Sequence, residues 1–156
     1  MIQRVQSIYL ILIFVLVGVM SFLPLVIFQT SDHVFYMNLF YFEGVEHLSF
    51  AFDLPNIWPI AALAIVLALL SVYSLFRFQN RKQQMLLNMI NMLVNFGLLI
   101  SIFLYADSVA SFADVKGEVI YDVAAYFPIV TVLLLILANR NIRKDEKMVK
   151  QSDRLR

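Results

Sequence analysis

The chain predicts an all-α membrane protein: a four-transmembrane-helix bundle with both termini cytoplasmic, a short aromatic-rich external hairpin between spans 1 and 2, and a cytoplasmic helical tail. Three observations predict it. First, 62% of the 156 residues are hydrophobic and 15% charged, with a mean hydropathy of +0.81, too apolar for an ordinary soluble domain. Second, residues 5–31, 54–76, 83–106 and 123–139 form four uncharged runs. A spanning helix needs roughly 20 apolar residues, because about 30 Å of hydrocarbon is crossed at 1.5 Å per residue. Third, eleven of the twelve Lys and Arg residues fall on one side of these runs, and Lys116 alone falls on the other. Cytoplasmic loops are enriched in Lys and Arg, which puts the N-terminus, the second gap and the C-terminal tail inside.

These observations give one membrane domain over 1–156, with spans at about 5–29, 55–77, 83–107 and 119–139, an external loop at 30–54 and a tail at 140–156. The first run is too long for a signal peptide: its 27 uncharged residues exceed the roughly 7–15 of a signal core, and no small-residue cleavage site follows. Pro24 near its outer end marks a kink or stop. In the external loop, residues 34–42 and 45–52 are aromatic and β-prone, and they flank Glu43-Gly44, a natural hairpin turn. Phe40, Tyr41, Phe42, Phe50, Phe52 and Trp58 are candidates for an external interface, either an aromatic belt at the headgroups or a surface for a partner. Pro55 and Pro59 suit the first turn of span 2. The short basic gap Arg77, Arg81 and Lys82 makes spans 2 and 3 antiparallel neighbours. The acidic third gap carries Gly117 as a turn, and residues 108–112 can extend span 3. Asp122 opens span 4, where an acid complements the helix dipole.

The absence of cysteine removes disulfides, thiol redox chemistry and thiolate metal sites. The two histidines, His33 and His47, sit in the external loop, so no imidazole lies within a span to hold a haem or relay a proton. No nucleophile elbow, phosphate loop, dinucleotide fingerprint or zinc-protease motif is present. The expectation is therefore no catalytic residue, no metal, no cofactor and no nucleic-acid partner.

Span 3 carries the most informative intramembrane feature. Gln84, Asn88, Asn91 and Asn95 stand at i, i+4, i+7 and i+11, on one helical face. An amide facing lipid leaves its donors and acceptors unpaired at a cost of several kcal/mol, so the stripe must face other helices. Ser71, Tyr73 and Ser74 on span 2 and Thr131 on span 4 are partners of the right type. The stripe reads as an interhelical polar seam or a contact with another subunit; its alternative is a path for a small solute. The tail supplies Arg140, Arg143, Lys144, Lys147, Lys150, Arg154 and Arg156, interleaved with Asp145, Glu146 and Asp153. It reads as a charged helix for docking or for contact with anionic lipid, with Ile142, Val149 and Leu155 as a thin apolar stripe.

The opening residues 1–10 (MIQRVQSIYL) and closing residues 143–156 (RKDEKMVKQSDRLR) resemble the two terminal signatures of a family of small four-span membrane proteins of unknown function found in Bacteroidota. The resemblance covers the whole chain. It implies the bacterial inner membrane and brings no catalytic residues to carry over. The function expected is that of a non-enzymatic subunit or accessory factor of a larger inner-membrane complex, with the bilayer and other membrane subunits as partners. The alternative is a small transporter or channel for a neutral or lipid-like solute lined by Asn88, Asn91 and Asn95. A lipid-directed enzyme would have Asp122 and the external acids as its candidates.

Overall fold

A computed structural model describes residues 3–30, 33–46, 54–77, 80–112 and 118–154. Four helices run through it: α1 (Gln3–Met20), α2 (Trp58–Phe76), α3 (Arg81–Phe112) and α4 (Phe127–Arg154). Four short strands accompany them: β1 (Val26–Gln29), β2 (Val34–Met37), β3 (Phe42–Glu43) and β4 (Val119–Tyr121). The helices pack in sequence, α1 on α2, α2 on α3 and α3 on α4, and α4 closes the bundle against α1. Three segments are long and apolar enough to cross a membrane: Trp58–Phe76, Arg81–Phe112 and Val123–Glu146. Helix α1 has 18 residues and is about 27 Å long.

The all-α expectation is corrected by the sheet, whose strand order is β3-β2-β1-β4, all antiparallel. Two of the predicted span boundaries fall inside it. The first uncharged run does not stay helical to residue 29. Its helix closes at Met20 with tightened turns from Ser21 N to Gly18 O and Phe22 N to Val19 O, Pro24 follows, and β1 begins. Likewise residues 119–121, expected to open span 4, form β4. Asp122 then accepts from Val123 N at 2.7 Å and caps a single 3-10 turn ahead of α4. The physical reason is common to both. Val, Ile, Phe and Tyr in these stretches are as much strand formers as apolar residues, and 27 uncharged residues are more than a bilayer needs.

The hairpin exists with a different turn from the one expected. β2 pairs with β3 through Tyr36↔Glu43 and Met37↔Phe42, and the chain reverses at residues 38–41, where Asn38 N donates to Tyr41 O. Gly44 lies beyond the turn, at φ +81°. The second expected arm falls largely on residues 47–53, outside the described residues. The buried face of the sheet, with Leu25, Val26, Phe28, Phe35 and Met37, joins the core formed by Ile57, Ile102, Ala106 and Val109 at the helix ends. Phe28 and Phe35 stand opposite each other in register and stack at 4.8 Å. The sheet is therefore a lid on one end of the bundle.

Candidate functional site: a polar seam ending at a basic face

Beside its apolar core the bundle buries a row of polar side chains, and it turns large apolar ones outward. Gln84, Asn88, Asn91, Asn95, Ser71, Ser74 and Thr131 are buried, whereas Leu69, Leu93 and Leu104 on the same helices are more than 60% exposed. Polar groups can be buried only if they are paired, and a leucine surface on all sides suits hydrocarbon.

All four predicted seam residues of α3 lie in the interior, and the three asparagines find their partners on the two flanking helices. Ser74 Oγ donates to Asn88 Oδ1 at 2.7 Å, and Asn88 Nδ2 donates to Asn139 Oδ1 of α4 at 3.1 Å, so one carboxamide ties three helices together. Asn91 Nδ2 donates to Ser71 Oγ at 2.8 Å, and that hydroxyl donates to Leu67 O. Asn95 Nδ2 donates to Thr131 Oγ1 at 2.6 Å and to Pro128 O at 2.8 Å. Gln84 is buried one turn before Asn88. Ser71, Ser74 and Thr131 are thus seam partners as expected, and Tyr73 is not. It is exposed, accepts from Arg77 Nε and Nη2, and has the guanidinium stacked over its ring at 5.2 Å. Asn139, classed as the end of an apolar run, is the partner that sequence reasoning missed.

Three acceptors on the seam, Gln84 Oε1, Asn91 Oδ1 and Asn95 Oδ1, are buried without a hydrogen-bond donor. Around Asn95, the gap between Val17, Met20, Leu98, Phe127 and Thr131 has no room for a water molecule. The seam is tightly packed at that level.

At the end opposite the sheet, the start of α1 meets α4. Gln6 Nε2 of α1 donates to Asp145 Oδ2 of α4 at 2.9 Å, with both residues only 5% exposed. Arg81 Nη1 at the start of α3 donates to the Asp145 carbonyl oxygen at 3.3 Å. The two terminal sequence signatures therefore touch at this pair. Its trace in the sequence is that Asp145 follows Ile142 by three residues and precedes Val149 by four, an acid set into the apolar stripe of the tail.

Arg140, Arg143 and Lys144 point the other way and are exposed. With Tyr9 of α1, Met89 and Met92 of α3, and Ile136, Leu137, Asn139 and Asn141 of α4, they line an open depression of about 750 Å³. Lys147, Lys150 and Arg154 continue α4, but their side chains, and Arg156 altogether, lie outside the described residues.

At the sheet end, Phe40, Tyr41 and Trp58 are exposed and Phe42 is half-buried, while Phe50 and Phe52 lie outside the described residues. Phe22, assigned by its hydropathy to span 1, is 86% exposed near this end and joins the aromatic set. Tyr121 on β4 packs its ring against Phe103 at 4.9 Å. Burial, and then the negative charge of Asp107, push its phenol above the ordinary tyrosine value. No group of three metal-capable side chains occurs among the described residues.

A family model described as Domain of unknown function (DUF4293) matches residues 2–155. No curated protein and no solved structure matches the chain.

Proposed function

The chain belongs to this family of unknown-function domains, and from that premise we propose that it is a non-enzymatic subunit or accessory factor of a larger assembly in the bacterial inner membrane, crossing it four times with both termini in the cytoplasm. The observation that carries this reading is the destination of the seam amides. Asn88, Asn91 and Asn95 all donate to α2 or α4 of the same chain. Such bonds join helices, at about 0.6 kcal/mol each where they have been measured in a membrane protein. The seam is then a scaffold, and what the molecule offers to others is its two ends: the aromatics around the sheet and the basic face of α4. The concentration of bases at the end that holds both termini supports the cytoplasmic assignment of that end.

Purification of the chain in mild detergent followed by mass spectrometry tests the reading. Stoichiometric co-purification of other membrane proteins is expected. A chain that always elutes alone sinks it.

The unpaired acceptors Gln84 Oε1, Asn91 Oδ1 and Asn95 Oδ1 favour a second reading, a path for a small neutral solute. The close packing around Asn95 weighs against it. Replacing Asn88, Asn91 and Asn95 together by Ala separates the two: loss of transport in a folded protein supports the path, and loss of folding supports the scaffold.

A further inference from the structure

We infer that the depression on the outer face of α4 is a binding site for one anionic phospholipid of the leaflet at the basic end. The two halves of the depression differ in chemistry. Toward the sheet end of α4 it is walled by Ile136 and Leu137, with Tyr9 to one side and Met89 and Met92 to the other. One helical turn further along it is walled by Arg140, Arg143 and Lys144. The change falls where the uncharged run of α4 ends, at Asn139, which is where hydrocarbon gives way to headgroup.

The occupant is argued from both halves. Ile136, Arg140, Arg143 and Lys144 lie at i, i+4, i+7 and i+8, so the three cations share a face with the apolar wall below them. Two guanidiniums can grip a phosphate through paired N–H groups, and the ammonium adds a point charge. The unbranched side chains of Met89, exposed, and Met92, half-buried, adapt to acyl chains of varied shape. A volume of about 750 Å³ holds a headgroup with the upper part of its chains rather than a whole lipid. A free phosphate would leave the apolar wall unused, and an acidic protein segment would have to enter at the level of the hydrocarbon. Of the acids beside these cations on α4, Asp145 is turned inward to Gln6 and Glu146 is half-buried three residues past Arg143, so the three cations outnumber the single acid left beside them. This site is independent of whether the chain belongs to a larger assembly.

The test compares two triple variants of the full-length chain that remove the same charge. Protein is reconstituted in nanodiscs of equal phosphatidylglycerol and phosphatidylcholine, and retained lipid is read by native mass spectrometry. The unaltered chain should keep one phosphatidylglycerol in preference to phosphatidylcholine. R140Q/R143Q/K144Q should lose that preference by on the order of tenfold, whereas K147Q/K150Q/R154Q should change it less than about twofold on the same scale. Equal losses from both triples would mean diffuse attraction to a polybasic helix and would overturn the site, as would equal retention of the two lipids by the unaltered chain. Glycerol phosphate in solution should not displace the lipid; full displacement would overturn the role of the apolar wall. Circular dichroism and monodisperse elution check folding. If the proximal triple does not fold, R140Q, R143Q and K144Q singly should each reduce the preference, and no reduction in any of them overturns the proposal.

Discussion

Asn88 is the residue on which the seam depends most, because it is the one that bonds to both flanking helices. Removing it strands the buried Ser74 Oγ and takes away the donor to the half-buried Asn139 Oδ1. Asn88→Ala should therefore destabilise by about 1–3 kcal/mol. Asn91→Ala removes one bond and leaves Ser71 still donating to Leu67 O, so it should cost less than about 1 kcal/mol. Equilibrium unfolding in mixed micelles of mild detergent and SDS measures both, and equal losses would contradict this ranking. Asp145 poses the sharper case. Its Oδ1 has no donor, and Gln6 supplies the bond to Oδ2. Gln6→Ala should cost about 1–3 kcal/mol by leaving a buried carboxylate without that bond, and Asp145→Asn, which still accepts from Gln6, should cost less. The same unfolding assay checks the order.

Among the elements, the four-stranded sheet was the least expected, and its stability is open to direct test. Phe28 and Phe35 are fully buried and stacked across the β1–β2 pair. Phe28→Ala should cost about 3–5 kcal/mol, in the range of other large-to-small core changes. Gly44 is held at φ +81°, where a Cβ would sit 3.1 Å from Val34 O. Gly44→Ala should then cost about 1–2 kcal/mol from the left-handed backbone alone. Hydrogen exchange of the Val34–Met37 amides in detergent would localise both losses to the sheet, and unchanged protection there would contradict the assignment. The two outer strands are three and two residues long, and strand edges this short offer little template for pairing with another chain.

At the scale of the molecule, the bundle has a sheet end and a basic end, and the placement of the two termini follows from the contact between Gln6 and Asp145. The chain lacks cysteine, so single cysteines can be introduced without background. A cysteine at Tyr41, exposed beside the β2–β3 turn, and one at Gln151, exposed near the end of α4, should label with a membrane-impermeant maleimide from opposite faces of sealed vesicles. Labelling from the same face would rule out a membrane-crossing bundle with this polarity. Phe22, Tyr41 and Trp58 are exposed at the sheet end, and the exposed cations among the described residues lie at the other, with Tyr73 and Phe76, so the two ends differ in charge.

The sequence by itself determined the helical bundle, its apolar exterior and the inward stripe of amides, because span length, charge and a 3.6-residue period are local properties. Gln84, Asn88, Asn91 and Asn95 were legible for that reason, as was their need for partners such as Ser71 and Thr131. Only the tertiary structure decided where the first helix ends and that its remainder, with residues 119–121, is sheet. Both segments are apolar whichever structure they adopt, and the choice is made by hydrogen bonds of Val26–Gln29 to its hairpin neighbour Val34–Met37 and to Val119–Tyr121, which lies far along the chain. The same holds for Asn139 and for the Gln6–Asp145 contact: each is an ordinary polar residue of its helix until a partner from another helix, 51 or 139 positions away, gives it a place in the packing.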